Sequence, residues 1–252
     1  MKKLLCIASL ALAFLAHPPA ISAQEGLDGL SLRARVGYSV GATAPLGIPE
    51  EIRKLNSFNP AFNLSVGFDV EKNVARRFGL MVGARFENKG MEADVDAKAY
   101  NMAELRQGDQ TLGGYFTGGV YLKVKQWMLT VPLMATFDIG KSQIHAGPYI
   151  SALLGKEISG YAYDGYLRQE TPTGAKVEMG HSPEDRGNYD MTDDMRNAQF
   201  GIMAGADWLI LNHFGVYVDL SWGLTGVFHS EFKTIEQTLY PIFGTIGISY
   251  KF

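Results

Sequence analysis

The chain has 252 residues, a formal net charge of −3, and 46% hydrophobic against 19% charged residues. That balance excludes a disordered, highly charged chain, and the slight acidity gives no electrostatic case for binding nucleic acid. The length fits one domain, or at most two small ones.

The first 23 residues read as a secretory signal peptide. Lys2 and Lys3 form a positive start, Leu4 to Ala16 is an apolar run, and Pro18 and Pro19 break it. Ile21-Ser22-Ala23 then supplies the small residue before a cut, and the apolar run is too short for a spanning helix. Its removal lowers the net charge by two, from −3 to −5, and takes away Cys6, the one cysteine. The expected mature chain therefore has no disulfide, no cysteine-bound metal, no thiol nucleophile and no cysteine at the cut to carry a lipid anchor. No later run of about 18 apolar residues occurs, so no transmembrane helix is expected.

Eight segments then alternate with period two, the spacing of a strand whose successive side chains point to opposite faces. Leu32, Ala34, Val36, Tyr38 and Val40 oppose Arg33, Arg35, Gly37 and Ser39. Phe62, Leu64, Val66, Phe68 and Val70 oppose Asn63, Ser65, Gly67 and Asp69. Phe78, Leu80, Val82, Ala84 and Phe86 oppose Gly79, Met81, Gly83, Arg85 and Glu87. Trp127, Leu129, Val131, Leu133, Ala135 and Phe137 oppose Met128, Thr130, Pro132, Met134 and Thr136. Ile144, Ala146, Pro148, Ile150 and Ala152 oppose Gln143, His145, Gly147, Tyr149 and Ser151. Pro132 and Pro148 each remove a ladder donor, which predicts a bulge or local distortion. Phe200, Ile202, Ala204, Ala206 and Trp208 oppose Gly201, Met203, Gly205 and Asp207. Phe214, Val216, Val218, Leu220, Trp222 and Leu224 oppose Gly215, Tyr217, Asp219, Ser221 and Gly223. Ile242, Gly244, Ile246, Ile248, Tyr250 and Phe252 oppose Phe243, Thr245, Gly247, Ser249 and Lys251.

Short links at 71–77, 138–142 and 211–213 alternate with long ones at 42–60, 88–118, 155–197 and 225–239. This is the arrangement of an antiparallel up-and-down barrel in the outer membrane, with short periplasmic turns and long extracellular loops. The reading predicts an all-β, eight-stranded barrel over residues 31–252, a periplasmic lead at 24–30, and both termini in the periplasm. A soluble barrel would turn its apolar face inward. Here glycine gathers on the polar face (Gly37, Gly67, Gly79, Gly83, Gly147, Gly201, Gly205, Gly215, Gly223 and Gly247), as a narrow interior requires. Aromatics end the apolar faces, where lipid headgroups would lie: Tyr38, Phe62, Phe78, Phe86, Trp127, Phe137, Trp208, Phe214, Tyr250 and Phe252. The apolar face is therefore read as lipid-facing.

Residues 30–252 resemble the outer-membrane β-barrel proteins of Bacteroidetes, the PorT-like family. The likeness is carried by Leu129-Thr130-Val131-Pro132-Leu133, His145-Ala146-Gly147-Pro148-Tyr149-Ile150, Asp219-Leu220-Ser221-Trp222-Gly223-Leu224 and Ile248-Ser249-Tyr250-Lys251-Phe252. The resemblance implies location and architecture rather than one activity; the founding type serves a protein secretion system. The last strand, through Ile246, Ile248, Tyr250 and Phe252, also resembles the signal recognised by the barrel-assembly machinery.

The inward face carries Arg33, Arg35, Arg85 and Lys251 against Asp69, Glu87, Asp207 and Asp219. An ion pathway or a catalytic carboxylate group would use such residues. The balanced signs favour a structural plug, since unpaired charges in a narrow interior are costly. Eight strands leave no aqueous channel, so an open porin is not expected. The stretch 155–197 holds nine acidic and five basic residues. Its Asp190, Asp193 and Asp194 miss the spacing of a calcium loop and read as a solvated surface. Tyr161, Tyr163, Tyr166 and Tyr189 suit either recognition or loop packing. Of His145, His181, His213 and His229, only the last sits in a local cluster, His229-Ser230-Glu231, and adjacency in sequence does not make a triad. No catalytic, metal or cofactor residues are assigned. The expected partners are outer-membrane lipid, the assembly machinery, and a protein engaged through loops 88–118 and 155–197. The competing expectations are a rim enzyme acting on lipid or peptide, and a narrow solute channel.

Overall fold

The computed structural model describes residues 29–47, 49–229 and 238–252. The expected signal peptide, the lead up to residue 28, and Ser230 and Glu231 lie outside the described residues. The strands are β1 (Leu30–Pro45), β2 (Ile52–Pro60), β3 (Asn63–Asn73), β4 (Phe78–Gln107), β5 (Gln110–Ile139), β6 (Ser142–Gln169), β7 (Lys176–Met179), β8 (Gly187–Asp190), β9 (Ala198–Leu209), β10 (Phe214–Gly223) and β11 (Leu239–Lys251). The described residues thus hold eleven strands where eight were expected. Every segment read as a strand lies in one except for the end residues Phe62, Leu224 and Phe252, and β2, β7 and β8 arise in stretches read as loops.

Hydrogen-bonded neighbours run β4–β3–β1–β11–β10–β9–β6–β5, and β5 pairs back onto β4, so the wall closes. Closure leaves no open edge where lipid could not satisfy the backbone. β2 pairs with β4, β7 with β6, and β8 with both β6 and β4. The registers Phe214↔Tyr250, Trp222↔Ile242 and Val36↔Ile248 align apolar side chains on one face across three strands.

Both prolines distort the ladder locally, as expected, without forming a bulge. Pairing lapses between Val82↔Leu133 and Arg85↔Thr130, and between Pro132↔Tyr149 and Ala135↔Ala146, but neither lapse shifts the register. The closed wall holds alignment on both sides of each proline, so only local bonds are lost. The shifts lie elsewhere, between Trp127 and Met128 on β5, where Leu154 of β6 is the extra residue, and between Ala97 and Tyr100 on β4.

The largest departure concerns the long connections. β4, β5 and β6 run for 30, 30 and 28 residues, about three times the length a tilted strand needs to cross a bilayer. The expected loop 88–118 is a continuous hairpin that turns at Gly108, with φ +56°. The expected loop 155–197 holds the rest of β6 together with β7 and β8. These stretches are strands because they bury an apolar core of their own, which includes Met91, Leu105, Phe116, Val124, Ile158, Leu167 and Met195.

Candidate functional site

Two places carry polar chemistry: the interior of the ring, and the outer face of the strand extensions. Inside the ring, Arg35 is 1% exposed and three carboxylates surround it. Its Nε faces Asp69 Oδ2, its Nη2 donates to Asp207 Oδ2 at 2.6 Å, and its Nη1 donates to Asp219 Oδ2 at 3.3 Å. Arg85 donates to Asp219 at 2.7 Å and lies 3.6 Å from Asp69. Arg33 reaches Asp207 at 2.9 Å and Glu71 at 3.6 Å. Glu87 accepts from Thr130 and Ser65 and lies 3.6 Å from Lys89. His145 Nε2 stands 2.6 Å from Asp219 Oδ1, and the opposite ring nitrogen 3.3 Å from Asp207.

Glycine makes room for this network. A Cβ at Gly205 would overlap Asp219 and His145, one at Gly83 would overlap Asp69, and one at Gly37 would overlap the Tyr217 hydroxyl. The Arg35 guanidinium lies 4.6 Å from the Tyr217 ring, and Met81, Met134, Tyr149 and Met203 form a small apolar cluster beside the charges.

Seven of the eight residues read as a lumen network are brought together. Lys251 is the exception: among the described residues it has no ion pair. It is the last strand residue, aligned with the like-charged Arg33, and its backbone is tied to His213. Glu71, Lys89, Gln143 and His145 belong to the network but were not assigned to it. Glu71 and Lys89 continue the inward parity of Asp69 and of Arg85-Glu87, one step past where the strands were expected to end. Gln143 and His145 carry no formal charge in the sequence to mark them as members. Ile246, Ile248 and Phe252 project from the outer face of β11, and Tyr250 packs edge-on against Phe214 and Phe252 at 5.0 Å.

On the extensions the tyrosines turn out to be packed. Tyr161 stacks on Tyr121 at 4.9 Å, under the Arg186 guanidinium at 4.0 Å. Lys176 and Arg168 lie over Tyr166 at 4.4 and 5.6 Å. Tyr163 donates to Asp94 at 2.7 Å, and buried Tyr189 donates to the Tyr121 carbonyl at 2.7 Å. Burial and the Asp94 carboxylate push the Tyr163 phenol upward, while burial and Glu92 push Tyr121 up to about 12. Asp190, Asp193 and Asp194 do not converge, and among the described residues no cluster could hold a metal ion. His181 pairs with Asp164 at 3.0 Å on the surface, but the adjacent Ser182 hydroxyl donates to Asp185. Of the cluster at 229–231, only His229 lies within the described residues.

Outside the ring the apolar face is uncovered: Leu80, Val82, Leu133, Ile150, Leu220 and Ile246 are exposed, in a band bounded by aromatic contacts. Phe78–Phe137 (4.8 Å) and Phe214–Tyr250 (5.0 Å) lie at the short-turn end. Phe86–Trp127 (5.3 Å) and Tyr38–Phe62 (5.6 Å) lie at the other. About 26 Å of strand separates Phe78 from Phe86, at ~3.3 Å per residue, which at a tilt of about 40° covers about 20 Å of bilayer depth between the aromatic pairs. The family model of the outer membrane protein beta-barrel domain matches residues 22–229. The chain belongs to that family.

An outer-membrane location follows for this outer-membrane barrel. Among solved structures, neisserial surface protein A is 9% identical with a TM-score of 0.36, over 89% of this chain and 97% of that one. Ail, the attachment invasion locus protein of Yersinia pestis, is 8% identical with a TM-score of 0.36, over 88% and 97%. OprG from Pseudomonas aeruginosa is 14% identical with a TM-score of 0.38, over 88% and 95%. These likenesses carry no further argument. No curated protein matches the sequence.

Proposed function

We propose that this outer-membrane barrel is a non-enzymatic surface protein that presents the folded extensions of β4, β5 and β6 outside the cell to a protein or envelope partner. The observation that carries the reading is the extension's own apolar core, with Leu105, Phe116, Ile158, Leu167 and Met195 fully buried. A preformed surface binds without a large ordering cost, and binding residues are commonly held on segments borne by a rigid scaffold. In this reading the short turns and both termini face the periplasm. The outward face of β11, with Ile246, Ile248, Tyr250 and Phe252, serves the assembly machinery. The finer likeness to Bacteroidetes PorT-like barrels, with a role in secretion or envelope organisation, belongs to the same proposal and rests on the stretches quoted above.

The test is a shaved barrel in which short turns replace 46–60, 92–123 and 155–195. Met91 and Val124 are aligned partners, so the wall can be rejoined there. The expected result is a protein that still inserts and keeps its lumen, but loses the cell-surface partners cross-linked by the full chain. An unchanged partner set and secreted proteome would overturn the reading. The channel alternative is checked by planar-bilayer recording, where stable large conductance would contradict the paired interior.

A further inference from the structure

The short-turn end carries cations that no described ion pair uses. Lys72, Arg76, Arg77 and Lys141 are all exposed, and among the described residues none has an acidic side chain within 4.0 Å. The carboxylates at this end are engaged elsewhere. Glu71 is turned inward and accepts from Thr136 and Gln143, Asp138 accepts from Gln143, and Asp207 is held by Arg33 and Arg35.

The four cations lie close together. The 74–77 turn joins β3 to β4, the 140–141 turn joins β5 to β6, and the Asp138 amide bonds the Arg77 carbonyl at 2.9 Å. Lys72 shares the lipid-facing parity of Phe68 and Val70 and is aligned with Leu80, near the short-turn end of the apolar band. Its stem can lie along that band while its ammonium reaches the headgroups. Val74 in the first turn and Ile139 at the end of β5 are exposed beside these cations. Cations grouped at the end of a lipid-facing surface complement negative headgroups.

We propose that this rim is a binding surface for anionic phospholipid, with Lys72, Arg76, Arg77 and Lys141 holding its phosphates in the leaflet at the short-turn end. The surface is separate from the partner-binding extensions and depends only on the apolar band meeting lipid. An unchanged partner set in the shaved barrel would overturn the extensions' role without touching it.

Trp208 provides a built-in reporter. It is 43% exposed, its Cα is aligned with that of Ser142, and the Leu209 amide bonds the Lys141 carbonyl. The full chain carrying Trp127→Phe and Trp222→Phe would be reconstituted in phosphatidylcholine vesicles containing either brominated phosphatidylglycerol or brominated phosphatidylcholine. Quenching should show phosphatidylglycerol preferred beside Trp208 by about fivefold, the effect of one well-placed cation. The preference should disappear in the K72Q/R76Q/R77Q/K141Q variant. It should also shrink in high salt with no cation substituted, which keeps the test valid if that variant folds poorly. Trp222, kept as the single tryptophan at the opposite end, should show no preference. Equal quenching by the two lipids at Trp208, or a preference that survives both neutralisation and salt, would overturn the proposal.

Discussion

β4 passes through two regions that invert one another. From Phe78 to Lys89 its outward residues are Leu80, Val82, Ala84 and Phe86, and its inward residues include Arg85, Glu87 and Lys89. From Met91 onward the outward residues are Glu92, Asp94 and Asp96, and the inward ones include Met91, Ala97 and Leu105. β5 switches between Trp127 and Lys125, and β6 between Ala152 and Glu157. β4 keeps β5 on one side while β2 takes the place of β3 on the other, so it stays a strand in a sheet throughout; what changes around it is the solvent. Lipid outside requires an apolar surface and leaves the narrow interior polar, whereas water outside reverses both. The switch therefore marks where the bilayer ends, and Lys89 sits at the seam. It lies 3.3 Å from the Ser221 hydroxyl, with the Tyr149 and Phe243 rings at 5.7 and 5.5 Å.

The comparison can be broken most forcefully from inside. Asp219→Asn removes the charge that Arg35, Arg85 and His145 share, and should cost about 3–5 kcal/mol in urea unfolding of the reconstituted barrel. In the extension the equivalent blow is apolar. Phe116→Ala should cost about 3–4 kcal/mol there, read as faster hydrogen exchange in β5 and β6 beyond Trp127 with the ring unaffected. A third contrast uses one substitution type on two outward positions. Val218→Arg, facing lipid, should cost about 2–4 kcal/mol. Glu104→Arg, facing water, should stay within about 0.5 kcal/mol. The smallest effect is on pH. Because the Tyr121 phenol is raised in the folded extension, its contribution is complete below the ordinary phenol value near 10 and is lost as pH rises through about 12. Alkaline unfolding followed by phenolate absorbance should therefore show the extension weakening over that window.

The inversion also explains what could be read from residues alone. Alternation such as Phe214 to Trp222 gives strand, face and lipid contact together, because apolar-out and glycine-in coincide. The same reasoning stopped at Glu87 and Trp127, where the apolar residues change faces and a search for one continuous apolar face loses the strand. In β6 the extra residue Leu154 swaps the two faces, so Ile158 and Ala162 keep the sequence parity of Ile150 and Ala152 yet point inward. The lumen network was legible as a set of charges on one face. Its pairings depend on ring closure, which brings Arg35 to Asp219 across 184 residues of chain. His145 carried no formal charge to draw attention to it.

The most direct test of this account is solvent access along β4. Single cysteines at the outward positions Leu80, Ala84, Phe86, Glu92, Asp94 and Asp96 would be exposed to a membrane-impermeant maleimide in reconstituted vesicles. The account predicts protection through Phe86 and fast labelling from Glu92 onward. Protection that continues past Glu92, or labelling at Ala84 as fast as at Asp94, would contradict it.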